Sequence, residues 1–270
     1  VYASRSLEAS RYLNSYQREL TERFWNDAKA LFQESNGGSL PLPPELSLIA
    51  TSLDDSVGLF HGHTGSIVAL AVSGKRDCVV TAARDSTIRV WEARTEACIA
   101  KFEIAAVVRR LAVNPKATRL AAVTVAGALV VFDWVTGESF ELEPPENAGF
   151  ASIAFSPDGN WLAAGTTGGA ICLWAAESHE ERPQLLGHRD RVSCLGFSPD
   201  GSLLGSGSWD ETARVWDLST GRLEAEMTMQ GRVGDLEFGP DGRRLLVGSY
   251  AWRARILDIE DQRQTALETE

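Results

Sequence analysis

Apolar and polar residues alternate over short segments through most of this chain, and the pattern returns after 41 or 42 residues. Its clearest marker is a Pro-Asp-Gly turn after an apolar segment that ends in Phe, at residues 156–159, 198–201 and 239–242. Pro presets the backbone φ angle and Gly accepts a positive φ, so each of these turns predicts a β-hairpin. Turn residues at 73–74 and 114–115 take the same place in two earlier units.

A second marker with the same period is a short strand near the end of each unit. Five such segments end 41, 42, 42 and 41 residues apart, at 87–91, 128–132, 170–174, 212–216 and 254–257. Strands of this length that recur about every 40–45 residues are typical of a β-propeller with one four-stranded blade per period. Helical apolar spacing is absent from residues 61–268. We therefore predict an all-β propeller with five full units, at 61–102, 103–143, 148–186, 187–228 and 231–268.

Two of these units resemble the WD-repeat family. Gly62-His63 precedes Trp91, and Gly187-His188 precedes Trp216, with the Trp 28 positions after the His in both units. The resemblance covers about residues 46 to 268 and implies a polar network of indole, hydroxyl, imidazole and carboxylate inside a blade. The implied networks are His63, Thr81, Asp85 and Trp91 in the first unit, and His188, Ser206, Asp210 and Trp216 in the fourth.

Such a set also resembles a hydrolytic Ser-His-Asp triad, but the repeated spacing places it inside the blade, which favours a structural role. The other units lack it. Ala164 and Gly168 stand at the hydroxyl and carboxylate positions of the third unit, and Phe132 and Leu257 replace the Trp of the second and fifth. Ala126 and Ala251 replace the Asp in those two units. We expect these three blades to rely on apolar packing and to open more readily.

The beginning of the chain has a different pattern. Apolar residues at helical spacing predict an amphipathic helix within residues 1–36, followed by a linker at 37–45 and the propeller at 46–270. We expect this helix either to pack against the propeller or a domain outside this sequence, or to bind a partner. Residues 48–60 resemble the second and third strands of another repeat, but Phe60 precedes Trp91 by only 31 residues. The prediction is thus five full repeats plus a remnant, in an incomplete or open ring or in a piece of a larger protein.

Composition narrows the function. A formal net charge of −11 disfavours nucleic acid as a partner. No apolar segment has the length of a membrane span, no signal peptide precedes the propeller, and the four cysteines sit mainly in apolar segments, which suits buried, reduced thiols in a cytoplasmic protein. No nucleophile elbow, phosphate loop or dinucleotide fingerprint is present, and only His179-Glu180 with Glu181 weakly suggests a metal site. We predict no enzyme activity, no cofactor and no metal.

The family resemblance also implies a binding surface, because WD-repeat propellers often bind partners through one face. The matching positions carry four arginines and two aromatic residues: Arg84, Arg109, Arg191, Trp209, Arg232 and Tyr250. They are accompanied by Val68, Thr167 and Ser193, with Leu53 in the remnant. The arginines are either ordinary solvated side chains or part of a hot-spot surface for an acidic or phosphorylated peptide.

The leading functional prediction is a protein-interaction scaffold or ligand-sensing module. Arg- and Ala-rich propellers of this type resemble the C-terminal sensor regions of larger bacterial signalling proteins, in which the effector domain is another part of the same chain. The alternative is a structural subunit of a homo- or hetero-oligomeric complex. An enzyme that uses the central channel ranks third, and nucleic-acid binding fourth.

Overall fold

The computed structural model of the chain describes residues 60–73, 78–145, 148–251, 253–261 and 263–267. These residues form β-strands and connecting turns, with no helix among them. The predicted N-terminal helix, the linker and all of the remnant repeat except Phe60 lie outside the described residues, so they stay predictions.

The strands are short and evenly spaced along the chain. In chain order they are β1 (Ile67–Ser73), β2 (Cys78–Ala83), β3 (Thr87–Glu92), β4 (Cys98–Glu103), β5 (Val108–Val113), β6 (Arg119–Thr124), β7 (Leu129–Asp133), β8 (Ser139–Leu142), β9 (Phe150–Phe155), β10 (Trp161–Thr166), β11 (Ile171–Ala175), β12 (Glu181–Leu185), β13 (Val192–Phe197), β14 (Leu203–Ser208), β15 (Thr212–Asp217), β16 (Arg222–Thr228), β17 (Val233–Phe238), β18 (Arg244–Ser249), β19 (Arg253–Asp258) and β20 (Gln264–Leu267).

The three Pro-Asp-Gly segments form tight turns between the first and second strands of their units. In each turn the Gly N–H donates to the carbonyl three residues earlier, at 2.8 to 2.9 Å. Gly159, Gly201 and Gly242 have φ angles of 78°, 74° and 70°, a conformation that glycine adopts without a steric penalty. The hairpins predicted from these turns are therefore confirmed.

The strands form five antiparallel sheets of four, which we call blades 1 to 5 in chain order. Each blade is a meander whose strands pair in chain order, such as β1-β2-β3-β4 in blade 1. The first strand of each blade contacts the first strand of the next, from β1 with β5 to β13 with β17, so these strands lie on the inside of the assembly. The arrangement confirms the predicted all-β class and fits a β-propeller.

The apolar core lies between neighbouring blades rather than inside one sheet. In β6, Leu120 and Ala122 pack toward blade 1, whereas Ala121 and Val123 pack toward blade 3. Both faces of a middle blade are thus buried, which explains why its strands read as continuous apolar segments. Similar clusters join blades 3 and 4, around Trp216, and blades 4 and 5, around Val215.

In the described residues, blades 1 and 5 do not pack against each other as successive blades do. All four successive pairs of blades pack through their inner strands, but within the described residues β1 and β17 make no comparable contact. Leu70 and Val72 of β1 are consequently 53% and 51% exposed. The ring is open between these two blades in the part of the chain that the structure describes.

Candidate protein-binding surface

One end of every blade is built by the same backbone hydrogen bond. The residue after the second strand donates its N–H to the carbonyl of the residue before the first strand, at 2.8 to 2.9 Å. The five donor–acceptor pairs are Arg84 to Ser66, Val125 to Val107, Thr167 to Gly149, Trp209 to Arg191, and Tyr250 to Arg232. These ten residues therefore lie at one end of the blades, and we call this end the upper surface.

The upper surface of blades 4 and 5 carries a compact group of cationic and aromatic side chains. The guanidinium carbon of Arg232 lies 4.3 Å from the ring centroid of Trp209, and that of Arg191 lies 5.2 Å from it. Tyr250 is 66% exposed, and its ring lies against Gly234. Two guanidinium groups thus stack on one half-buried indole, which restrains their positions.

Arginines from blade 2 extend this group across the inside of the ring. Partial burial lowers the pKa of Arg191, and repulsion from Arg109 and Arg110 of β5 lowers it further. Tyr250 and Asp190 act in the opposite direction and raise the pKa of Arg191. An anion placed among the three guanidinium groups would relieve their mutual repulsion.

The structure thus places four of the six proposed residues in one group, namely Arg191, Trp209, Arg232 and Tyr250, while Arg109 acts on Arg191 through its charge. Arg84 occupies the corresponding position in blade 1, but no side-chain interaction joins it to the others in the described part of the chain. Sequence reasoning missed Arg110, which adjoins Arg109, and an apolar pair on blade 2. That pair is Val107 and Val125, which are 44% and 54% exposed on the upper surface.

The polar network of blade 4 supports this surface from below. Trp216 Nε1 donates to Ser206 Oγ at 2.8 Å, and Ser206 Oγ lies 2.8 Å from His188 Nε2. His188 Nδ1 lies 3.0 Å from Asp210 Oδ2. A neutral imidazole with its proton on Nδ1 accepts from the hydroxyl and donates to the carboxylate, so every group has a partner. Because Asp210 follows Trp209 directly, the network fixes the turn that carries Trp209.

Blade 1 repeats the same geometry. Trp91 Nε1 donates to Thr81 Oγ1 at 2.7 Å, Thr81 Oγ1 lies 2.7 Å from His63 Nε2, and His63 Nδ1 lies 3.0 Å from Asp85 Oδ2. The structure also adds a member that sequence reasoning missed in both blades. The hydroxyl of Thr87 donates to Asp85 Oδ1 at 2.7 Å. In blade 4 the hydroxyl of Thr212 donates to Asp210 Oδ1 at the same distance. The Asp-x-Thr sequence shared by the two units could have indicated this threonine.

The environment sets the protonation of these groups. Burial alone would raise the pKa of Asp210, but hydrogen bonds from Thr212 and the Arg189 N–H, with the attraction of His188, lower it to about 2. The pKa of Asp85 falls well below its usual range through the corresponding contacts, against the same effect of burial. Burial lowers the pKa of His188 despite Asp210, which favours the neutral imidazole.

Blades 2 and 3 hold the corresponding turn with threonine instead. Thr166 Oγ1 accepts from the Ala170 N–H at 3.0 Å, and Thr124 Oγ1 accepts from the Ala128 N–H at 3.1 Å. A glycine with positive φ completes each of these turns, Gly127 at 92° and Gly169 at 96°. These short contacts lie at the turn and do not extend across the blade.

The remaining candidate chemistry is limited. Cys78, Cys172 and Cys194 are buried, and burial raises the pKa of the Cys172 and Cys194 thiols to about 12. Cys98 is exposed on β4, so the expectation of a buried thiol is wrong there. Over the described ranges, no cluster of His, Cys, Asp or Glu has the geometry to hold a metal ion, and no helix has the length and apolar character to cross a membrane.

Comparison with known proteins identifies the repeat. The family model "WD domain, G-beta repeat" matches residues 54–92, 142–175 and 180–217. Three segments of the chain therefore resemble WD40 repeats. The first and third matches contain the two polar networks, and the second contains Trp174 of blade 3. The WD40 match at residues 54–60 lies almost entirely outside the described residues.

Several curated proteins are similar to parts of this chain. Eukaryotic translation initiation factor 3 subunit I of Coccidioides immitis is 30% identical over 127 residues, 45% of this chain and 36% of that protein. The same subunit of Pyricularia oryzae is 31% identical over 127 residues, again 45% and 36%. Target of rapamycin complex subunit LST8 of Saccharomyces cerevisiae is 26% identical over 192 residues, 68% of this chain and 62% of that protein. The chain thus spans about a third of the first relatives' length.

Proposed function

We propose that this chain is a non-catalytic subunit of a cytoplasmic multiprotein complex and holds a protein partner on its upper surface. The relatives named above are subunits of complexes, and WD40 proteins serve as protein-interaction scaffolds. These relatives support the subunit interpretation better than the sensor region of a bacterial signalling protein, for which the comparisons offer no support.

One observation supports the site: the group of Arg191, Trp209, Arg232 and Tyr250, with the positive charge of Arg109 from blade 2 acting on Arg191. Arg, Trp and Tyr are the residue types that dominate the energetics of protein interfaces. A backbone hydrogen bond and the neighbouring Asp210 hold Trp209 in place, so little conformational entropy is lost there when a partner binds. Several guanidinium groups close together favour an anion, so the proposed partner segment is acidic or phosphorylated.

The test compares two double variants with the same change in charge. Arg109→Glu with Arg232→Glu reverses the upper surface, whereas Arg222→Glu with Arg243→Glu reverses two exposed arginines at the other end of blades 4 and 5. Tagged forms are expressed in cells of the source organism, and co-purifying proteins are quantified by mass spectrometry. We expect the first variant to lose its main partner about tenfold or more, and the second to retain it. Equal retention by both variants would contradict the proposed site.

A further inference from the structure

Blade 2 presents an apolar patch on the upper surface, on the same end of the blades as the cationic and aromatic group. Val107 and Val125 are joined by the backbone bond that defines this surface, and they are 44% and 54% exposed. Ala105 and Ala126, which stand close to them in the chain, are exposed as well. No charged residue occurs in segment 120–132. Blade 2 thus differs from blades 1, 4 and 5, each of which has an arginine in the corresponding pair.

Closely packed turns connect this patch with Trp209. The Gly127 turn of blade 2 lies so near to blade 3 that a Cβ on Gly127 would be 2.8 Å from the Cα of Gly149. The Gly169 turn of blade 3 approaches blade 4 in the same way, because a Cβ there would be 2.4 Å from the carbonyl oxygen of His188. The defining pair of blade 3 is a glycine and a threonine. The described turns between blades 2 and 4 therefore form a low floor with small side chains.

The other end of this floor is positively charged. The guanidinium groups of Arg191 and Arg232 stack on Trp209. Arg109 and Arg110 of β5 act on Arg191 through their charge. These four arginines give the surface a local positive charge, although the formal net charge of the chain is −11. Because they come from three blades, the charge is spread over the surface, which suits several carboxylates along a segment better than one compact anion.

The separation of the two ends indicates the size of a ligand that reaches both. Packed sheets lie about 10 Å apart, so blades 2 and 4, with one blade between them, are separated by about 20 Å. An extended chain rises about 3.3 Å per residue, so about six residues span this distance. A ligand that contacts both ends is therefore a peptide segment rather than a small metabolite.

We propose that the upper surface binds one extended segment of a partner protein that combines acidic and aliphatic side chains. Asp or Glu side chains lie against the arginines stacked on Trp209, and an aliphatic side chain about six residues away lies on Val107 and Val125. The charges attract the segment at long range, whereas the short-range apolar contact selects its register. This inference rests on the proposed function, because it uses the same surface, and it adds the apolar subsite and the spacing.

Synthetic peptides test the inference on the full chain, with binding followed by the fluorescence anisotropy of a label on the peptide. Each peptide has a Gly-Ser background, an Asp-Asp pair, and one Leu at a separation that varies along the series. We expect the tightest binding at a separation of about six residues. Replacing the Leu by Ser, or both Asp by Asn, should weaken binding about tenfold. Equal binding at every separation would overturn the proposal, and tighter binding of phosphoserine than of the Asp-Asp pair would contradict the choice of carboxylates.

Variants of the chain test whether the Leu binds to blade 2. Val107→Ser with Val125→Ser removes the apolar patch, and Val135→Ser is the control, since Val135 is 71% exposed beyond the other end of β7. We expect the double variant to bind the peptide with Leu about tenfold more weakly. It should bind the peptide without Leu as the wild type does, because both changes remove the same contact. Additive losses, or an equal loss in the control, would contradict the assignment.

The variant Arg109→Glu with Arg232→Glu separates a failure of this inference from a failure of the proposed function. We expect it to weaken the binding of every Asp-containing peptide about tenfold or more. If it binds these peptides as the wild type does, or if no peptide binds the wild type, the proposed function and this inference both fail. If the arginines are required but neither the Leu nor the two valines matter, the proposed function stands and this inference is wrong.

Discussion

The most direct test of the blade network is to remove its central hydroxyl while keeping the shape of the side chain. Thr81→Val replaces the hydroxyl by a methyl group at a position only 3% exposed. Trp91 Nε1 and His63 Nε2, each 2.7 Å from that hydroxyl, then lose their partner together. Two buried polar groups at about 1–3 kcal/mol each, less a small gain in apolar burial, give a loss of about 2–4 kcal/mol in the free energy of unfolding.

Thr81→Ser is the matched control because it keeps the hydroxyl, as Ser206 does in blade 4. It removes one buried methyl group, so we expect a loss of about 1 kcal/mol. The predicted order of stability is therefore wild type, Ser, then Val. Apolar burial alone predicts the opposite, with Val the most stable of the three. The sign of the difference between Ser and Val thus decides between the two explanations.

Urea unfolding followed by circular dichroism gives the midpoints, and an unchanged slope shows that they report stability. Amide hydrogen exchange in β2 and β3 locates the loss in blade 1. The opposite substitution in blade 5, Val247→Thr, provides a second control. Leu257 replaces the Trp there, so a new hydroxyl finds no indole and should also destabilise. A Thr81→Val variant as stable as Thr81→Ser would refute the network as the source of stability.

Two further predictions concern acidity and close packing. Stability should fall as the pH drops below about 6.5, because the unfolded chain takes up a proton at His188 that the folded chain, with its lowered His188 pKa, does not. A second loss of stability should follow from about pH 4 toward pH 2. In that range Asp210, with a folded pKa of about 2, is ionised in the folded chain but protonated in the unfolded chain. A melting temperature that does not change from pH 7 to pH 3 would contradict both expectations. Gly207→Ala should destabilise by about 1–3 kcal/mol, because a Cβ there would lie 2.4 Å from Val233 Cγ1 and 2.6 Å from Cys194 Sγ. Gly168→Ala, whose Cβ meets nothing closer than 3.7 Å, should change the unfolding midpoint little.

The local features of the fold were predictable because their causes are local. A Pro-Asp-Gly turn depends on the φ preferences of neighbouring residues, and the repeat of about 41 residues places a strand pair on each side of it. The network positions were accessible by resemblance, through the spacing of His and Trp. Thr87 and Thr212 were missed although they stand two residues after the network Asp, because a threonine at the start of a strand is ordinary by β-propensity alone.

The composition of the upper surface depends on contacts that no local pattern encodes. Arg109 and Arg191 belong to blades 2 and 4, and only the arrangement of the blades lets the charge of Arg109 lower the pKa of Arg191. The same holds for the exposure of Leu70, which depends on packing between blades and not on a local pattern. The sequence predicts the members of these surfaces, whereas distances between blades decide which members act together.

The polar network and the binding surface are joined through a single turn, and this has a consequence for recognition. Trp209 is followed by Asp210, which His188, Thr212 and the Arg189 N–H hold. Tyr250 is followed by Ala251, so its turn has no carboxylate to receive the corresponding contacts. Arg232 lies between the two aromatic residues, stacked on Trp209 and bonded through its carbonyl to the Tyr250 N–H. The partner proposed for this surface would therefore meet a fixed anchor on blade 4 and a more adaptable one on blade 5, with an arginine that connects them.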